Sequence, residues 1–128
     1  MSAMSNYLEN KFLDHILGTT AYTMPATVYV GLATASFGEG NTGTELSGSG
    51  YGRQSATFNA AASGTTDNSA AIEFSAATAS WGDVSHFGIF DASTGGNLLI
   101  HGSFSTTKTI AQGDILKINA GDLDVSAD

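Results

Sequence analysis

Cysteine is absent from the sequence, so neither disulfides nor thiolate metal centres can hold the chain together, and its redox compartment is left open. Positive charge is nearly as scarce. Lys11, Arg53, Lys108 and Lys117 stand against twelve acidic residues, for a formal net charge of −8. Nucleic-acid binding needs several phosphates neutralised by clustered Lys and Arg, so four scattered cations argue against DNA or RNA as a direct partner. No apolar run approaches the roughly 20 residues that span a bilayer, and residues 1–10 lack the basic start and apolar core of a secretory signal. The chain therefore reads as soluble, made in the cytoplasm and free of membrane contact.

What is present points to β structure. With 128 residues, 41% of them hydrophobic, the chain is long enough for one domain with its own core and too short for two. The richest stretch is Ser80 to Phe104, which holds the single Trp and two of the three His. Val84, His86, Gly88 and Phe90 alternate with Ser85, Phe87, Ile89 and Asp91; Leu98, Ile100, Gly102 and Phe104 alternate with their neighbours in the same way. Between the two runs, residues 91–97 supply the Asp, Gly and Asn that tolerate turn geometry. This is a predicted hairpin.

One helix is predicted over 6–18, capped by Asn6 and Glu9 and stopped by Gly18. Leu8, Phe12 and Ile16 align on one face, widened by Leu13 and Leu17. A helix this short is marginal alone in water, so the stripe must pack either on the sheet or on another subunit; packing on the sheet is the expectation. After Pro25, residues 26–33 read as a strand, with Gly31 marking a bulge or a close crossing. Residues 34–50, rich in Gly, Ser and Thr, form a long loop or mobile arm, of a length that usually serves contact with a partner. The main β region, 51–125, contains strands at 51–58, 70–74, the hairpin, 107–110, 115–119 and 123–125, with a polar turn over 64–68. The fold class is mainly β: a compact antiparallel β-sandwich or Greek-key barrel with one N-terminal α-helix, as a single domain over 1–128.

Chemistry is present only in fragments. His86 and His101 approach each other only in one strand register, and the third ligand a zinc site needs is missing, His15 being on the helix. No Ser sits in a nucleophile elbow such as G-x-S-x-G. The glycines of 48–52 lead into a strand rather than the helix N-terminus that a phosphate loop requires. Asp122 and Asp124 lack a calcium-loop pattern around them. The expectation is no enzyme activity, no metal and no cofactor.

Several segments in order, NYLENKFLDHILG (6–18), TVYVGLATA (27–35), GYGRQSATF (50–58), WGDVSHFGIFDASTGGNLLIHGSF (81–104) and KTIAQGDILKINAGDLDV (108–125), resemble a family of small bacteriophage virion proteins. That family is commonly labelled phage tail fibre protein, and in some phages its members look like capsid decoration or cement proteins. The resemblance implies a virion structural protein made in the host cytoplasm. Fibre shafts gain length by repeating a unit, and this chain has no internal repeat. The reading drawn is therefore capsid decoration: binding the outer surface of the major capsid protein lattice, at the capsid surface, as a homo-oligomer such as a trimer. The alternative is a tail fibre or minor tail protein with a receptor- or carbohydrate-binding role. Tyr7, Phe12 and Phe37 are candidate apolar anchors for partners, with Tyr51 and Arg53 beside them, since aromatic residues and Arg dominate interface energetics.

Overall fold

A computed structural model describes residues 2–127. The elements in chain order are β1 (Ser2–Met4), α1 (Asn6–Ile16), β2 (Val28–Ala33), β3 (Gln54–Ala56), β4 (Thr65–Asp67), β5 (Ile72–Glu73), β6 (Gly82–Phe90), β7 (Leu98–Ile110), β8 (Lys117–Ile118) and β9 (Asp124–Ser126). Five strands form an antiparallel sheet in the order β1-β7-β6-β2-β3, and two small ribbons, β4-β9 and β5-β8, supply a second layer. Val30, Leu32, Phe87 and Ile89 from the sheet meet Ile72, Phe74, Leu116, Ile118, Leu123 and Val125 from the second layer in one apolar cluster with Trp81. The mainly β, sandwich-like fold with one N-terminal helix is as expected. The barrel variant is not, because β1 and β3 end the sheet as unpaired edges.

The hairpin forms for the reason its sequence suggests. Asp91 donates its backbone N–H to the Asn97 carbonyl at 3.2 Å, while its carboxylate accepts from the Asn97 N–H at 2.7 Å and side-chain amide at 3.0 Å. Gly96 has φ +69°, and a Cβ there would lie 2.5 Å from Asp91 Oδ1, so only glycine completes the loop. Strict alternation fails at Ser85, however. Val84 opposes Lys108 and His86 opposes Ser103, leaving Ser85 alone against residues 104–107. This bulge turns both Val84 and Phe87 into the main core, where an unbroken period of two would have separated them.

Past that bulge, the middle of the sheet is buried on both sides. Ala33, Phe37, Phe90 and Leu98 form a second apolar cluster on the face away from the main core. Phe37 belongs to the long 34–50 loop, which thus lies on the sheet instead of standing free as an arm. Gly31 and Gly88 are register partners beneath it. A Cβ on Gly88 would come within 2.9 Å of Leu98 and Phe90 side-chain atoms and 3.2 Å of Phe37, and one on Gly31 within 2.6 Å of Glu45 Oε2. Gly31 therefore marks a close approach, one of the two readings its position suggested.

Other departures have local causes. Ser5, not Asn6, caps α1: its hydroxyl accepts from Leu8 N–H at 3.2 Å and itself donates to the Leu98 carbonyl, which a surface cap could not do. Gly18, φ +79°, ends the helix in a Schellman arrangement, with Gly18 N–H on His15 O at 3.3 Å and Thr19 N–H on Asp14 O at 2.8 Å. The polar stretch 64–68 contains β4 rather than only a turn, and the chain beyond it is pinned by Asn68. Fully buried, Asn68 donates to the Ala70 and Asn119 carbonyls and accepts from Leu123 N–H at 2.9 Å, so all three side-chain bonds are internal. Sequence reading placed a single strand over 51–58; the structure keeps only Gln54–Ala56, because Tyr51 and Arg53 are engaged elsewhere.

Candidate functional site: an exposed helix face and the knot that holds the loop

The five residues singled out as partner contacts fall into two groups. Tyr7 and Phe12 lie on α1; Phe37, Tyr51 and Arg53 converge on the loop-covered face of the sheet. Phe37 is 1% exposed, its ring edge-on to Phe90 at 5.5 Å between centroids. Buried in this way it offers no surface to a partner, and its role is to plug the loop into the sheet. Tyr51 is half-buried, stacked on Phe74 at 6.3 Å and T-shaped against Trp81 at 5.6 Å. Its hydroxyl leaves this aromatic cluster to accept from Leu32 N–H at 2.9 Å and donate to Glu45. The bond replaces a ladder partner that β2 lacks once β3 has ended, and Leu46 N–H takes the Leu32 carbonyl at 2.9 Å.

Arg53 completes the knot. Nε and Nη2 grip the two Glu45 oxygens at 2.9 and 2.8 Å, Nη1 donates to the Ala92 and Gly95 carbonyls at 2.8 Å each, and the guanidinium plane rests 3.6 Å from the centre of the Phe90 ring. One planar fork therefore ties the loop, the hairpin tip and the sheet together, a task the point charge of Lys cannot perform. The Arg53 side chain is 8% exposed and that of Glu45 22%. The pair is thus well shielded from water, and removing one partner strands the other. The phenol of Tyr51 is pushed far above its usual range, first by burial and next by its hydrogen bond to the Glu45 carboxylate.

On α1 the arrangement is the reverse. None of its residues is fully buried. Leu8 reaches a small apolar cleft with Met4, Ile100 and Val125, but Phe12 is 49% exposed, Leu13 52%, Ile16 60% and Leu17 74%. The expectation that the stripe packs on its own sheet is corrected here. The helix is docked by its first turn, through Ser5 to Leu98 and Asn6 N–H to the Glu39 carbonyl at 2.8 Å, so its second half projects past the sheet. Positions 12, 13, 16 and 17 share one side of a helix, and together they make an open apolar strip. Tyr7, half-buried, sits at the docked end with Lys11 Nζ 5.6 Å from its ring centre.

His86 and His101 lie on the loop-covered face, His101 opposite Gly88 and His86 opposite Ser103, while His15 is on α1. Ser85 Oγ is 2.7 Å from His86 Nδ1, and His101 Nε2 is buried without a hydrogen-bond partner. Among the described residues no three His, Asp or Glu side chains gather as metal ligands do. Nor, among those residues, is any helix long and apolar enough to cross a membrane.

Two outcomes follow from the knot. Arg53→Ala should lower unfolding free energy in denaturant by about 3–5 kcal/mol, because a shielded carboxylate loses its counter-charge; a loss below ~1 kcal/mol would mark the pair as a solvent-screened surface contact. Tyr51 remains protonated in the folded chain where the unfolded chain, with an ordinary phenol near pH 10, releases its proton. Its contribution is therefore complete below about pH 10 and lost as pH rises above it, at up to ~1.4 kcal/mol per pH unit for one proton. Tyr51→Phe should flatten the alkaline fall in stability by about that slope; an unchanged slope would place the ionisation elsewhere.

Comparison with known proteins places the chain. No curated protein matches it. The sequence model of the family described as Podophage GP4 fiber I protein gp80 matches residues 3–126, essentially the whole described fold. A fibre family implies a place on the virion, while nothing found in the comparison supports capsid decoration, the reading first drawn from the absence of repeats. The chain belongs to this podophage fibre protein family, and is a bacteriophage virion structural protein.

Proposed function

We propose that the chain is a non-enzymatic building block of a phage tail fibre, assembled by covering the open strip of α1 with the same strip of a second copy. The support is the strip itself: Phe12, Leu13, Ile16 and Leu17 lie between half and three-quarters exposed on one helix side, beyond the isolated surface apolar residue that is ordinary. A second copy is the occupant favoured because each copy carries the same uncharged strip, so two strips cover one another, and a chain with no internal repeat enters a fibre as several copies, of which this pair is the unit. Two helices meeting by the same face form an isologous contact, closed by two-fold symmetry. A net charge of −8 per copy opposes association elsewhere on the surface, leaving the uncharged strip as the place where copies can approach. In this reading the tail is the site of assembly, and the major capsid protein is not the partner.

The test is the oligomeric state by sedimentation, with Leu13→Glu/Ile16→Glu as the variant. The wild-type chain should sediment as an oligomer at micromolar concentration and the variant as a monomer, with the variant's unfolding midpoint at low concentration nearly unchanged, since both positions face solvent within one copy. A monomeric wild type, or an oligomer indifferent to the two charges, would remove the reading. Antibody labelling of intact particles separates the tail from the head: signal confined to the tail supports the fibre, and signal over the whole shell would restore capsid decoration.

A further inference from the structure

A contact of α1 with the same face of a second copy closes after two copies, so extending a fibre takes a second, different contact between copies. The sheet offers a surface with the right properties. Residues 104–107 of β7 have no register partner on β6, and β1 pairs only with residues 100–102. Neither edge of this stretch is part of a ladder, and Ser105, Thr106 and Thr107 are exposed along it. Its β-branched and aromatic residues favour strand pairing, and an unpaired strand edge is a template for another chain. Beside it, a cleft of about 400 Å³ separates β7 from the segment 117–124. Lys108 stands on the strand side, its ammonium 6.0 Å from the Phe104 ring centre; Lys117, Asp122 and Asp124 line the other side.

The charges around this stretch are uncommitted and self-complementary. Of the four cations in the sequence, Arg53 is bound to Glu45 in the one ion pair found among the described residues. Lys108 and Lys117 make no bridge to Asp122, to Asp124 or to Glu73, the register partner of Lys117. The patch therefore sets two cations beside three carboxylates, while nine acidic residues and two cations elsewhere carry most of the −8 charge. Repulsion between copies is largely cancelled here, as it is along the uncharged helix strip. A two-fold axis through β7 brings the lysines of one copy to the aspartates of the other, so a single patch supplies both halves of a contact. A uniformly acidic or uniformly basic foreign partner would satisfy only one of the two sets. We propose that this stretch of β7 is a second contact between copies: residues 104–107 pair antiparallel with their counterparts, and Lys108 and Lys117 of each copy meet Asp122 and Asp124 of the other. Two different two-fold contacts on one chain, helix on helix and strand on strand, generate an open-ended row of copies in place of a closed dimer. The place of this contact in a fibre rests on the helix reading above; the contact itself does not.

The test uses the full chain carrying Leu13→Glu/Ile16→Glu, which removes the helix contact. In sedimentation equilibrium this chain should dimerise with a Kd of roughly several hundred micromolar, too weak to register at micromolar concentration and reinforced in a fibre by the helix contact. Adding Lys108→Glu/Lys117→Glu, or instead Asp122→Lys/Asp124→Lys, should weaken that dimer about tenfold or more. Lys117, Asp122 and Asp124 are exposed and Lys108 is half-buried within one copy, so the reversals leave the core untouched. Mixing the two reversed chains in equal amounts should restore association to near that of the unreversed chain, because each then meets its complement. The unreversed dimer should also weaken about tenfold between ~50 and ~500 mM salt. A chain that stays monomeric to about 1 mM, reversed chains that associate as well as their parent, a mixture no better than either component, or a dimer indifferent to salt would each overturn the assignment. None of these results depends on whether the wild type associates through α1, so the two contacts stand or fall separately.

Discussion

The contact on which the rest of this structure depends is the grip of Arg53 on Glu45. It is a largely shielded, bidentate ion pair in a chain with four cations in all. Its energetic worth is not simply Coulombic, because shielding two charges from water costs several kcal/mol before attraction offsets it. What makes the pair favourable is that four of the five guanidinium N–H groups are used, two on Glu45 and two on hairpin-tip carbonyls, with an aromatic face against the plane and the Tyr51 hydroxyl donating to the carboxylate. Satisfied in this way, the network gives register, fixing where the loop, the tip and the strands sit relative to each other.

From that register the two faces of the sheet acquire different roles. On one side, Phe37 and Phe90 close over the Gly31–Gly88 pair, where any Cβ would intrude. On the other, Tyr51 carries the same network into the main core through Phe74 and Trp81. A loop of nearly twenty residues becomes part of the scaffold, at an ordering cost of the order of 1 kcal/mol or more per residue that only many simultaneous contacts can offset. The apolar surface left over is then concentrated on α1, which is held by its first turn and left open along its second half.

The sequence made some of this legible and hid the rest for identifiable reasons. The Asp91–Asn97 turn and the helix stop at Gly18 were readable because their determinants lie within a few residues of one another. The capping role of Ser5 was not, since half of it is a bond to Leu98, distant in sequence. The Ser85 bulge was invisible to a period-of-two reading, and it decides that Val84 and Phe87 share the main core. Arg53 and Tyr51 attracted attention as interface residues by type; their composition signal was real, but the structure spends them internally. A sole Arg eight residues from the second Glu of an otherwise uncharged loop was the available hint. The helix stripe was recognised, whereas its orientation required knowing that the sheet ends beneath its first turn.

The family match to a podophage fibre protein turns the functional account away from capsid decoration and toward a fibre-related virion protein. The loop is fastened within one copy, and the helix face is the apolar strip left open. Hydrogen exchange on the full chain at low concentration tests that claim most directly. The account predicts that the amides of Leu32, Gly43 and Leu46, bonded to Tyr51 Oη, Phe37 O and Leu32 O, exchange in the same slow class as the β2 and β6 ladder. Exchange of Gly43 and Leu46 at unprotected rates while the ladder remains protected would contradict it, for the loop would then be free.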